Sequence, residues 1–174
     1  LRELRAKGLI AMSKRLNLRE FQQNLSNRMQ DKSRLGDQSS LLGVQIAGQN
    51  YLVAMTDISE VLSLPPLAPV PLTKQWFCGV ANVRGNLYCV ADMAAFLHQG
   101  AASGALANRL LLVAERYAVN AALLVDKVFG LRDARNWQKD ALQTDQYFDE
   151  QGVAWRKLNV AGLIEQPDFL QIGI

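Results

Sequence analysis

Few side chains in this sequence could do covalent or metal chemistry. There is one histidine, His98, and there are two cysteines, Cys78 and Cys89, eleven residues apart. A zinc centre needs three or four Cys, His or carboxylate ligands at short spacings, and two isolated thiols with one imidazole do not supply them. A Ser-His-Asp or Cys-His hydrolase would have to take His98 as its base. That residue stands in an expected short helix, just before a loop of small residues. No G-x-x-x-x-G-K-[ST] or G-x-G-x-x-G run occurs, so nucleotide binding has no support. The carboxylates are scattered rather than paired, and aromatics do not interleave with Arg as on nucleic-acid platforms. What remains is recognition: a non-enzymatic binding protein, with no metal, cofactor, small-molecule substrate or nucleic acid expected.

Recognition needs charges held at defined places, and one stretch does this locally. Trp76 to Met93, WFCGVANVRGNLYCVADM, reads as strand, tight turn and strand. Gly and Asn supply the positive-φ conformations that two-residue hairpin turns require. Gly79, Asn82 and Gly85 are expected to shape the turn, and Arg84 to project from the tip or edge of the hairpin. A second stretch, Thr56 to Leu62 (TDISEVL), reads as a short helix capped by Thr56. Ile58, Val61 and Leu62 would form its apolar side, with Asp57 and Glu60 opposite. Pro65, Pro66, Pro69 and Pro71 then enforce an extended connector.

The other elements follow from pattern. Leu41 to Ala47 and Tyr51 to Met55 flank the turn Gly48-Gln49-Asn50, a hairpin with its turn chemistry in place. Ala94 to His98 reads as a short helix and 99–107 as a loop. Arg109 to Glu115 and Tyr117 to Val125 are continuous apolar runs, read as buried strands. Residues 133–152 are polar and read as a variable loop. Val153-Ala154-Trp155 begins a last strand, Leu158 to Ile164 reads as a short helix, and Phe169 to Ile174 as a terminal strand. Residues 1–34 read as helical, in two segments or as one helix with an offset at Asn17, which looks like an N-cap with Glu20 three residues on. The expected organisation is an N-terminal helical arm and linker over 1–40 and one domain over 41–174.

Composition agrees with a soluble class. Hydrophobic residues make up 49%, and no apolar run approaches the ~20 residues of a membrane span. The net charge of +3 hides an asymmetry. Residues 1–40 carry nine Lys/Arg against four Asp/Glu, and the remainder ten against twelve. A basic arm of this kind binds a membrane surface or nucleic acid in an alternative reading. Mixed charge along a solvated helix face is the simpler one. Two cysteines without a C-x-x-C pair are expected as reduced thiols in the cytoplasm.

The run G-V-A-N-V-R-G followed by V-A-D-M resembles the signature of CheW-like domains, the coupling proteins of bacterial chemosensory arrays. Gly79, Val80, Asn82, Val83, Arg84, Gly85, Val90 and Asp92 match it. Cys89 replaces the usual Pro, and Met93 the usual Leu. The I-S-E-V run, the proline connector, L-L-V-D-K-V-F-G and the closing W-x-x-L-x-V-x-x-L also resemble that family, in its type IV pilus branch. The resemblance implies a mainly β fold of two small five-stranded barrels with a few short helices. It also implies an adaptor that couples the tip of a methyl-accepting chemoreceptor to the regulatory domain of a CheA-type histidine kinase, recruited to membrane-associated arrays. Carried over residue by residue, it makes Ile58, Glu60 and Arg84 partner-binding candidates. A flagellar-type coupling protein is the near alternative.

Overall fold

The computed structural model describes residues 40–174 except Ser103 and Ala105. The helical reading of the arm, with its cap at Asn17, lies outside the described residues. Within them the chain is mainly β, with twelve strands in two sheets. In chain order these are β1 (Leu41–Ile46), β2 (Gln49–Ala54), β3 (Ile58–Ser63), β4 (Leu67–Ala68), β5 (Phe77–Val83) and β6 (Asn86–Asp92). They continue with β7 (Arg109–Val113), β8 (Ala121–Val125), β9 (Lys127–Arg132), β10 (Gln138–Lys139), β11 (Gln146–Phe148) and β12 (Ala154–Leu158). Three short α-helices, α1 (Met93–Phe96), α2 (Val160–Ile164) and α3 (Pro167–Leu170), and two 3-10 turns, Met55–Asp57 and Glu115–Tyr117, complete the described elements.

The first sheet runs β10-β11-β12-β2-β1-β9 and the second β3-β7-β8-β6-β5-β4. Each has five strands of three or more residues and one two-residue edge strand, which agrees with two small β units side by side. The described residues begin in the first sheet, build the whole of the second, and return to finish the first. Two pairings are parallel, β2 with β12 and β6 with β8; the rest are antiparallel.

Burial explains why β7 and β8 read as unbroken apolar runs. Leu111 and Val113 of β7, with Ala121, Leu123 and Val125 of β8, face the core between the sheets, where they meet Leu42, Val44, Ile46, Tyr51 and Val53 of the first sheet. The alternate residues Leu110, Leu112, Ala122 and Leu124 face a second cluster with Ala81 and Val90. A strand buried on both faces shows no alternation of polar and apolar residues.

Three readings need correction. Residues 133–152 are not one loop: β10 and β11 lie within them, pair with each other and extend the first sheet through β12. Thr56 to Leu62 is not a helix: a single 3-10 turn, Met55–Asp57, leads into strand β3. The terminal strand expected over Phe169 to Ile174 is instead helix α3 with Pro167 in its first turn, followed by one isolated bridge between Thr73 and Gly173. Proline at the start of a helix costs no hydrogen bond. Phe169 is then buried, stacked on Trp76 at 5.5 Å and edge-on to Phe96 at 5.4 Å.

Asp92, a residue of the V-A-D-M run, holds the junction after β6. Its Oδ1 accepts from the backbone N–H groups of Ala94 at 2.9 Å and Ala95 at 3.2 Å, and its Oδ2 from that of Ala102 at 2.8 Å. One buried carboxylate thus caps α1 and ties down the loop that follows. Asp92→Ala is expected to destabilise the domain by about 2–3 kcal/mol, the sum of a lost N-cap and an orphaned buried donor. The urea midpoint measures this, and a loss under about 0.5 kcal/mol would show the loop to be held by other contacts.

Candidate interaction site

The β5–β6 hairpin closes through Arg84 and Gly85, with Val83 paired to Asn86. Both central residues have positive φ, +52° at Arg84 and +87° at Gly85, the pattern of a two-residue type I′ turn. The Asn82 side chain accepts from the Gly85 N–H at 2.9 Å and braces the turn. Gly85 thus occupies the turn itself, and Asn82 braces it from strand β5. Gly79 does not: it lies in a β5 bulge, with φ +128°, where the backbone of β4 passes so close that an added Cβ would stand 2.4 Å from the Ala68 carbonyl oxygen.

Arg84 and Glu60, 24 residues apart, meet. The Arg84 guanidinium donates from Nη1 to Glu60 Oε2 at 2.7 Å and from Nη2 to Oε1 at 2.6 Å. The two-pronged geometry matches a guanidinium to a carboxylate. Glu60 belongs to β3, an edge strand, while Arg84 caps the hairpin at the other side of the sheet. The ion pair therefore spans the curl of the second sheet. It is open to solvent, with the Arg84 side chain 74% exposed and that of Glu60 34%.

A register shift in β3 puts Glu60 there. Ile58 pairs with Val113, yet Glu60 pairs with Leu112, so Ser59 is an extra residue in the strand. A bulge of this kind sends residues two apart to opposite faces. Ile58 turns into the core between the sheets and is 7% exposed. Glu60 turns to the face of Leu62 and Leu112. The start of the strand is clamped. Buried Asp57 accepts from Tyr117 Oη at 2.6 Å and pairs with Arg116, while its carbonyl accepts from Ala114 N–H at 2.8 Å. Nothing in the sequence marked Asp57, Arg116 or Tyr117 as partners, because the contact spans about sixty residues.

The expectation that Ile58 anchors a partner is thereby corrected. A side chain buried between the sheets is a packing residue, not a docking surface. Apolar surface beside the turn comes instead from the outer face of the hairpin. Val80, Leu87 and Cys89 stand there with Asn82, opposite the inward Ala81, Tyr88 and Val90, and Leu87 is exposed.

The guanidinium holds the Glu60 carboxyl below its ordinary range, chiefly through the two hydrogen bonds. The pair therefore contributes at any pH above the usual glutamate pKa and is lost as acidification protonates Glu60. The two thiols differ. Cys89 is exposed, while burial, helped by the Asp92 charge, pushes the Cys78 thiol up to about 11. At pH 8 this rise lowers its thiolate fraction about 100-fold. Alkylation at that pH is expected to modify Cys89 alone, and a Cys89→Ser variant that labels at an unchanged rate would refute this.

His98 lies exposed just beyond α1. Among the described residues, no group of three or more His, Cys, Asp or Glu is placed to hold a metal ion. No described helix is long and apolar enough to cross a membrane.

Comparison with known proteins agrees with this geometry. Protein PilI of Pseudomonas aeruginosa is 37% identical over 91 residues, 52% of this chain and 51% of that one. The chain thus spans about half the length of this curated relative. The crystal structure of the scaffolding protein TtCheW from Thermoanaerobacter tengcongensis shares the fold. Its TM-score is 0.63 at 18% identity, and the match covers 75% of this chain and 94% of that one. Residues 40–164, which include both sheets and the Glu60–Arg84 pair, match the CheW-like domain, and the chain belongs to the CheW-like domain family.

Proposed function

We propose that this chain is a non-enzymatic adaptor of a chemosensory system. In this reading it couples the cytoplasmic tip of a methyl-accepting chemoreceptor to the regulatory domain of a CheA-type histidine kinase and so controls type IV pilus twitching motility. Family membership supports the signalling class. The likeness to PilI supports the pilus branch. The adaptor works from the cytoplasm, at membrane-associated receptor arrays.

The observation that carries the interaction surface is the backbone of Arg84. A non-glycine residue with positive φ is uncommon, and Asn, Asp or Gly fits the first position of a type I′ turn with less strain. Arg84 occupies it with its side chain exposed and gripped by Glu60. Strain retained for an exposed charged side chain favours a functional role for that side chain. The fixed guanidinium–carboxylate plate would set register with a partner, and Leu87 beside it would supply apolar contact. Gly79, Asn82 and Gly85 shape this surface without touching the partner.

Calorimetry of the chain against the regulatory domain of a pilus-type CheA-like kinase tests the reading. Saturable binding in the micromolar range, about −8 kcal/mol, is expected. No heat with the domain at ~100 µM, well above a micromolar Kd, would remove the kinase from the proposal.

A further inference from the structure

The two sheets fill their curls differently. In the second, aliphatic and other apolar side chains from all six strands meet in one cluster. In the first, aromatic rings take that place. Trp155 of β12 lies against Gly43 of β1, where an added Cβ would stand 3.0 Å from the ring. Phe129 of β9 meets Trp155 edge-on at 5.7 Å, and Trp137, just before β10, meets it at 5.5 Å. The rings leave a cleft of about 520 Å³ beside them, lined by Phe129, Leu131, Trp137 and Trp155 and by the carboxylates Asp149 and Glu150.

The chemistry of this cleft suits a cation. Its ring faces already hold two. The Arg132 guanidinium lies 5.6 Å from the Trp155 ring centre and the Lys127 ammonium 5.3 Å from that of Phe129. Trp137 is partly exposed, and among the described residues no cation covers it. Asp149 accepts from the Trp155 indole N–H at 3.0 Å and from the N–H groups of Gln151 and Val153 at 2.9 Å each. These bonds fix the carboxylate at the edge of the rings. Asp133, also in the wall, is paired with Arg135. Glu150 is exposed and has no ion-pair partner among the described residues. The same cleft thus offers an exposed carboxylate and a partly exposed indole. It disfavours anions such as phosphate, because with Asp133 neutralised by Arg135 and Asp149 facing Arg132 the remaining charge in the wall is that of Glu150.

We propose that this cleft binds the guanidinium of an arginine side chain presented by a partner polypeptide, with Trp137 stacking on its plane and Glu150 taking its charge. Arginine fits better than lysine because its flat, weakly hydrated head stacks on an indole and still reaches a carboxylate in the same plane. Leu131, exposed at the rim, meets an apolar neighbour of that arginine. The surface belongs to the first sheet and is independent of the Glu60–Arg84 pair.

The test titrates the ¹⁵N-labelled full chain with the peptide acetyl-Gly-Arg-Leu-Gly-amide and with its citrulline counterpart, which keeps the shape and lacks the charge. The indole N–H signals report the site. The arginine peptide is expected to move those of Trp137 and Trp155 saturably, and the citrulline peptide to bind at least about fivefold more weakly. Glu150→Gln and Trp137→Ala each lower affinity about threefold, the scale of one exposed ion pair or cation–π contact. Glu150→Gln is a surface change and leaves the fold alone, so its result stands if Trp137→Ala disturbs Trp155. Equal affinity for the two peptides, indole signals unmoved up to ~10 mM peptide against the millimolar affinity of a single weak contact, or unchanged affinity in Glu150→Gln would each overturn the proposal.

Discussion

Arg84→Glu is expected to cut affinity for the kinase regulatory domain by about 30-fold or more while the domain stays folded, because it reverses a charge that sets register at an interface. The change also places two carboxylates where Glu60 now accepts a guanidinium, so the bidentate contact is lost. The pair is exposed, and exposed pairs add little to stability, so the thermal midpoint should move by no more than about 3 °C. Two further variants locate the effect. Arg84→Asn gives the turn a residue that tolerates positive φ, so stability should hold or rise while binding still falls. The double swap Glu60→Arg with Arg84→Glu rebuilds the ion pair in reverse. Rescue of binding by the swap would mean the pair only props the hairpin; continued loss would mean the partner reads the charges directly, which is the expected result. Normal binding in Arg84→Glu would remove this surface from the adaptor's interface.

Gly79→Ala is expected to cause the largest loss of stability of any single methyl addition in the hairpin. Two independent costs coincide. A φ of +128° lies where L-residues are strained, and the new Cβ would stand 2.4 Å from a backbone oxygen that cannot rotate away. Strain of about 1–3 kcal/mol and overpacking of about 1–3 kcal/mol together approach 4 kcal/mol, a large part of the stability of a domain this size. Relief requires β4 to leave β5, where Leu67 faces Ala81 and Ala68 faces Val80. Gly85→Ala is the control, since its Cβ would meet nothing within 4 Å and only the φ cost remains. Denaturant melts of the two variants separate the costs. Equal midpoints would show that the close approach of β4 contributes nothing.

The hairpin was legible because its information is local. Asn82, Arg84 and Gly85 encode the turn within four residues, and the apolar runs on either side encode the strands. The β7 and β8 runs were legible for a related reason, since burial on both faces leaves an uninterrupted stretch that needs no phase. Strand β3 was not legible. Its extra residue, Ser59, breaks the period of two, and Ile58, Val61 and Leu62 then fall at the i, i+3, i+4 spacing of a helix. The same bulge hid the fate of Ile58, which looked like a surface anchor and is core. Glu60 and Arg84 were each visible as candidates. Their contact was not, because it depends on how far the sheet curls, and no stretch of sequence states that. The C-terminal Phe169 reads as a strand residue. Pro167 signals a helix start, and the ring stack on Trp76 that fixes it is a tertiary event.

The order in which the strands join their sheets also bears on how the protein is made. As the chain leaves the ribosome, the second sheet has all its strands once Val125 has emerged. The first then consists of β1 and β2 alone, and a lone hairpin is marginal in water. Until β9 and β12 arrive to flank it, the edges of that hairpin are bare, and its apolar face has only the finished second sheet to lie against. Long-range pairings form slowly, and unpaired strand edges invite association with other chains. Newly made chains therefore pass through an interval in which one half is complete and the other is a sticky two-stranded remnant. A chaperone that shields that remnant, or a faster arrival of residues 127–158, raises the yield without touching the stability of the finished domain.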